Sequence, residues 1–206
     1  MKVCILGATG RVGSNIINLA LKDSAEVTAL ARDLNRIEIQ HERLRVIEGN
    51  VLNENDINKV IKGSDIVISA LGTDQNGTLA KSMPQIIKQM EEEGVRRIIT
   101  IGTAGILQAR TDLNLYRFQS TESKRKTTTA AEDHLAAYEA LSNSNLYWTV
   151  VCPTHLIDGD VTEVYRTERD ILPEGGVKIT VGDTAHFAWD LCKKNIYENS
   201  RVGIAY

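Results

Sequence analysis

Short runs rich in Val, Ile and Leu alternate along the chain with longer amphipathic segments. That rhythm is expected of a parallel sheet covered by helices on both faces. Strands are predicted at 2–6 (KVCIL), 25–31 (AEVTALA), 43–48 (RLRVIE), 65–71 (DIVISAL), 96–102 (RRIITIG) and 146–151 (LYWTVV), with weaker ones at 177–180 and 201–205. Helices are predicted at 11–22, 54–62, 78–93, 129–142 and 183–194. The segment 32–42 is barely long enough for a crossover and is expected to hold a single helical turn. Thr129 followed by Glu132 reads as a capping box that starts a helix. Before it lies a long irregular stretch, 103–128, of the kind that serves as a lid or binding loop, with disorder as the alternative.

Right-handed crossovers then give the strand order 3-2-1-4-5-6, a Rossmann-like doubly wound α/β sheet to which one or two C-terminal strands are added. A ligand crevice is expected at the carboxyl ends of strands 1 and 4, where the order reverses. With 206 residues, 42% of them hydrophobic, the chain can close one sizeable core, so a single domain over 1–206 is expected. No internal repeat or low-complexity linker interrupts it.

Charge and cysteines narrow the setting. A net charge of -3 and a pI near 5.8 leave no broad positive field, which argues against nucleic acid as a partner. The one basic run, Arg117 and then Lys124-Arg125-Lys126, reads as a solvated loop. Cys4, Cys152 and Cys192 are odd in number and each sits in an apolar stretch, which suits reduced thiols and a cytoplasmic location. The first strand pattern starts at Lys2, and no apolar run is long enough to span a bilayer, so neither export nor membrane insertion is expected.

The most informative segment is Gly7-Ala8-Thr9-Gly10-Arg11-Val12-Gly13, a GxxGxxG loop between the first strand and the first helix. Gly7 lets the chain turn off the strand, Gly10 removes a side chain where backbone must approach a pyrophosphate, and Gly13 lets helix and strand pack closely. Exposed amides and the positive end of the helix then meet the phosphates. At the end of the second strand, a protein that prefers NAD would present a carboxylate to the ribose. This chain presents Arg32, with Arg36 one turn on, and a guanidinium there can grip a 2′-phosphate. The expected cofactor is therefore NADP(H), although Asp33 beside Arg32 can turn inward instead. Asn50 and Val51, past the third strand, are placed to border the adenine. Ala70-Leu71-Gly72-Thr73, ending the fourth, should run beneath the middle of the cofactor.

Candidates for chemistry lie at two further strand ends. Thr103 follows the fifth strand beside the expected nicotinamide position and can orient a carbonyl or carboxamide. His155, in Cys152-Pro153-Thr154-His155, is the histidine best placed to reach the same pocket and donate a proton. His134 and His186 read as helix residues and His41 as a loop residue, and no two histidines have metal-ligand spacing. A Tyr-x-x-x-Lys pair, the usual apparatus of alcohol oxidation in short-chain dehydrogenases, is missing. Tyr116, Tyr138, Tyr147, Tyr165 and Tyr197 are followed four residues on by Ser120, Ser142, Val151, Arg169 and Arg201, and Tyr206 is the last residue given. Tyr138, on the helix that should carry the pair, reads as packing.

Taken in order, GATGRVG, ARDLNR, GNVLN, SALGT and the Cys-Pro-Thr-His segment resemble the atypical short-chain dehydrogenase/reductases of the NmrA-like group, with a layout nearest its biliverdin/flavin reductases. The resemblance spans nearly the whole chain. It implies a cofactor set of Gly7, Thr9, Gly10, Arg11, Val12 and Gly13 on the pyrophosphate and Arg32 and Arg36 on the 2′-phosphate. It adds Asn50, Val51, Ala70, Leu71, Gly72 and Thr73 along the groove, and Thr103, Pro153, Thr154 and His155 by the nicotinamide. Thr103 and His155 are the implied catalytic pair, with His155 at the substrate mouth. Asn50 stands where the group usually has aspartate and Thr103 where it has serine, and 104–127 matches too poorly to carry substrate residues over. The implied activity is NADPH-dependent hydride transfer to a planar conjugated small molecule such as a flavin or quinone. The alternative is a non-catalytic redox sensor acting through a protein partner. An isomerase or lyase comes last, because the sequence offers no convincing strong base.

Overall fold

The computed structural model describes every residue except Gln75 and Lys124. Its main sheet has eight strands in the order β3-β2-β1-β4-β5-β6-β10-β8. These are β1 (Lys2–Leu6), β2 (Glu26–Ala31), β3 (Leu44–Glu48), β4 (Ile66–Ser69), β5 (Arg97–Ile101), β6 (Tyr147–Pro153), β8 (Arg166–Arg169) and β10 (Ser200–Ala205), and all neighbours are parallel except β8, which runs antiparallel to β10. The predicted order 3-2-1-4-5-6 is present, and the reversal between β1 and β4 opens the crevice at their carboxyl ends.

Successive strand residues face opposite layers. Val3 and Ile5 join a core with α1 (Arg11–Lys22) and α5 (Val181–Asp190), whereas Cys4 and Leu6 join a second core with α2 (Glu54–Ile61), α3 (Thr78–Glu92) and α4 (Thr129–Ser142). Both faces are thereby buried, which explains the near-continuous apolar character of the central strands. The short crossover 32–42 holds a single 3-10 turn at Leu34–Arg36, as its length requires. Among the described residues no helix is long and apolar enough to cross a membrane. Cys4, Cys152 and Cys192 are free thiols, and burial pushes Cys152 and Cys192 up to about 12, which makes them unreactive.

Four expectations need correction. The segment near 177–180 is a strand, β9 (Lys178–Thr180), but it pairs with β7 (His155–Ile157) in a separate two-stranded sheet. Strand β8, Arg-Thr-Glu-Arg in sequence, was not expected because it lacks apolar alternation, and such charge is what a sheet edge favours. Helix α5 starts at Val181 and not at 183, because Thr180 is its cap and accepts from the Asp183 amide at 3.0 Å. The capping box expected at Thr129 does not form: Thr128 precedes α4 without a side-chain cap, and its hydroxyl donates instead to the Glu132 carboxylate at 2.7 Å.

The stretch 103–128 is tethered to the sheet. It contains 3-10 turns at Ala104–Ile106 and Arg117–Gln119, and Ile106, Leu107 and Ala109 are fully buried. The buried Arg201 of β10 donates to the Ile106 carbonyl and the Gln108 side chain, with Asp170 Oδ1 at 3.5 Å from its Nε. Its guanidinium also faces the rings of Tyr138 at 4.6 Å and Tyr116 at 5.4 Å. Tyr138 therefore packs, as expected of it.

A second buried hub lies at the other end of β10. Asp183, wholly buried, accepts from the amides of Thr162 and Glu163 at 2.7 and 2.9 Å, from the Thr162 hydroxyl at 2.7 Å and from the Tyr206 hydroxyl at 2.6 Å. Burial pushes this carboxyl up, but the donors from Tyr206, Thr162 and Glu163 outweigh it and hold it below the usual carboxylate range. Since the folded value lies below the unfolded one, the stabilisation is complete above roughly pH 4 and is lost as the pH falls through the folded value. Replacing Asp183 by Ala should cost on the order of 3 kcal/mol at pH 7, since it strands several buried donors. The gap between wild type and variant in urea melts should narrow below pH 4, and a gap unchanged between pH 7 and pH 3 would contradict this account.

Candidate functional site

The chain leaves β1 through Gly7, whose φ of +82° is reserved for glycine, and a Cβ there would stand 2.4 Å from the Ala70 carbonyl oxygen. A Cβ on Gly13 would meet the Gly7 oxygen at 2.2 Å. These two glycines thus let β1, α1 and the end of β4 close on one point. Gly10 is the residue before α1 and has no side-chain cap, and there is no acidic residue in the first turn. The first amides of α1 are left for an external acceptor, which is the electrostatic arrangement that receives a diphosphate.

In front of those amides lies a groove of about 320 Å³, lined by Gly7, Thr9, Gly10, Arg32, Arg36, Asn50, Val51, Ala70, Leu71, Gly72 and Thr73 together with Leu30, Ala31, Gly49, Leu52, Asp74 and Thr78. A Cβ at Gly72 would meet nothing within 4 Å. Arg32 and Arg36 are exposed at one end of the groove. Asp33 is engaged elsewhere, accepting from the amide and side chain of Asn35 at 3.0 and 3.1 Å to cap the 3-10 turn. Asn50 accepts from the Leu52 amide at 3.0 Å and donates its own amide to Asp56 at 3.1 Å, so its conformation is fixed by the loop itself.

A second cavity, of about 390 Å³, gathers Thr103, Pro153, Thr154 and His155 against the 103–128 wall, including Arg117, Phe118, Glu122 and Arg125, with Leu172 and Val177 opposite. A smaller cleft of about 280 Å³ lies between the two, with Thr73 in common with the groove and Ala130 with the second cavity. Thr103 accepts from the Gly105 amide at 3.3 Å, which leaves its hydroxyl proton to donate. The Thr154 hydroxyl is buried with no partner among the described residues. His155 is exposed on β7. Tyr138 is not among the lining residues, and His134, which burial lowers to about 4, is neutral on α4.

The uncapped helix start and the groove in front of it fit a dinucleotide, and comparison with known proteins bears on the same point. A family model described as NAD(P)H-binding matches residues 7–195. The chain belongs to this NAD(P)H-binding family. It is 26% identical to the Bacillus subtilis protein YwnB over 99% of this chain and 98% of that one. The solved structure of a "putative epimerase" from Bacteroides thetaiotaomicron is 28% identical, has a TM-score of 0.88, and is covered over 96% of its length by all of this chain. ChuY, an anaerobillin reductase from Escherichia coli O157:H7, shares the fold at 20% identity, with a TM-score of 0.82 over 100% of this chain and 97% of that one. The NmrA-like motif resemblance is consistent with all three.

Within this NAD(P)H-binding protein, most residues singled out in the sequence come together in the groove or the second cavity. Three do not line either. Val12 is buried beneath α1 and Gly13 packs against Gly7, so both can serve only through their backbone. The Arg11 side chain donates to Asp158 at 2.8 Å across the mouth between α1 and the loop after β7. The basic run matches its reading as a solvated loop at Arg125 and Lys126, which are exposed, although Arg125 also lines the second cavity. Arg117 differs, being half-buried against Glu122 at 3.0 Å, and Lys124 lies outside the described residues.

Sequence reading missed Asp74 and Thr78, which line the groove and bond each other at 2.6 Å. Their four-residue spacing just before a helix was the available signal. Gly13→Ala should force the helix away from β1 and weaken dinucleotide binding by tenfold or more, roughly the cost of overpacking a close backbone contact. Calorimetric titration with NADP⁺ checks this, and unaltered affinity would show that the Gly7–Gly13 contact is not what seats the helix.

Proposed function

We propose that this chain is an NADPH-dependent reductase that delivers hydride to a planar conjugated acceptor such as a flavin or quinone. The observation that carries the reading is the succession of the cofactor groove, the cleft and a second cavity that has Thr103 and His155 at its wall but, among the described residues, no tyrosine–lysine pair. The bound nicotinamide would supply the hydride. The chain's own part is to hold two flat rings face to face and exclude side reactions. The first amides of α1 bind the diphosphate, Arg32 and Arg36 take the 2′-phosphate, and Thr103 orients the acceptor. His155, at the mouth, passes a proton to the reduced acceptor or leaves that to solvent. The three free thiols suit a reducing, cytoplasmic setting.

Epimerisation, suggested by the name of the Bacteroides relative, asks for a strong base in the second cavity. Glu122 has both carboxylate oxygens engaged, by Thr111 and Arg117, which leaves His155 as the only other base lining it among the described residues. The reductase reading asks less of these residues and is preferred.

Steady-state assays should show NADPH oxidation with at least one member of a panel of FMN, a naphthoquinone and biliverdin, and no oxidation above background with all three would remove the reading. Arg32→Ala should weaken NADPH by about tenfold or more, the contribution of a charge-assisted contact, with little change for NADH. Equal losses for both coenzymes in a binding titration would make Arg32 a structural residue.

A further inference from the structure

Helix α3 has no cap of its own. Gly77 precedes it in the left-handed region, with φ +70°, and offers no side chain. Its first residue, Thr78, lines the cofactor groove, so the helix start is part of the groove wall. The missing cap comes from another helix: Asp133 of α4, only 8% exposed, accepts from the Ala80 amide at 2.9 Å and the Leu79 amide at 3.4 Å. One turn earlier on α4, Ala130 and Ala131 line the second cavity. A single carboxylate therefore ties the wall of one cavity to the wall of the other, where the nicotinamide end of the dinucleotide must lie.

We infer that Asp133 is a positioning residue that sets the nicotinamide end of the cofactor site by capping α3 from α4. It lines the cleft between the two cavities, but its carboxylate is engaged by the α3 amides, so it acts on the site through that helix. The orphan amides at a helix start prefer a side-chain acceptor. With glycine at the cap position, Asp133 is, among the described residues, the α4 side chain that accepts from the first amides of α3 and so helps fix where that helix begins relative to α4. Loss of the carboxylate should let the Thr73–Thr78 wall drift while leaving the distant Arg32 and Arg36 end untouched. The inference uses the family's dinucleotide binding and rests on the proposed reading only for where the acceptor sits.

The test compares whichever of NADP⁺ or NAD⁺ the wild type binds more tightly with its adenosine half alone, adenosine 2′,5′-bisphosphate or AMP, by calorimetry. Asp133→Ala should lose about tenfold for the whole dinucleotide and stay within about twofold for the adenosine half, the range a lost cap gives. Asp133→Asn keeps one acceptor oxygen and should lose about threefold for the dinucleotide alone. Where the wild type turns over an acceptor, kcat should fall in the same order. Equal losses on whole and half ligands would mark a general weakening of the fold and overturn the inference, as would no loss on either. If Asp133→Ala does not fold, the same comparison on Asp133→Asn decides. A wild type that reduces no acceptor refutes the reductase reading and leaves this binding comparison intact.

Discussion

The close approach of three backbone segments, Gly7, Gly13 and the Ala70 carbonyl, is the constraint on which the rest of the site depends. Because no side chain can fit between them, the start of α1 is pressed against the point where the sheet reverses direction. Its unpaired amides consequently face the crevice and not the core. Those amides, with the positive end of the helix dipole, favour the negative charge of a diphosphate. The same closure positions the ends of β4 and β2, and so brings Ala70–Thr73 and Arg32 to the rim of one groove.

The second cavity is built differently. Its walls come from the 103–128 stretch, the start of α4, the β6–β7 corner and the 172–177 turn, mostly irregular chain beyond the nucleotide-binding half. Polar clasps hold these pieces: Arg201 fastens the 104–108 turn between two tyrosine rings, and Asp183 gathers the loop before β8 onto α5. Each clasp is a buried charge whose hydrogen-bonding groups are largely matched by partners, an arrangement that fixes one conformation more than it adds stability.

Legibility in the sequence follows this division. Strands β1 to β6 and all five helices are visible because their burial on a regular sheet imposes a periodic apolar pattern, and the glycine loop is visible because close backbone contact permits no other residue. What escapes is what local pattern does not govern. β8 is charged, since an edge strand need not be apolar. β7, three residues long and one residue after β6, is too short to show a pattern of its own. The cap that Asp133 gives α3 spans 54 positions from Leu79 and leaves no mark on neighbouring residues. Arg201, alone in an apolar strand, announces a buried charge without naming its partners. The groove could accordingly be assigned nearly residue by residue, whereas Arg117, Glu122 and Arg125 of the second cavity could not.

The anchoring of residues 104–108 by Arg201 also orders events during synthesis. Strands β1 to β4 and the helices between them emerge early and can shape the nucleotide crevice while translation continues. The opposite chamber has no finished outline until β10, nearly one hundred residues beyond Ile106, has left the ribosome and docked beside β6. The nucleotide groove is thus lined by chain no later than Thr78, whereas the second chamber is fastened by a residue of β10.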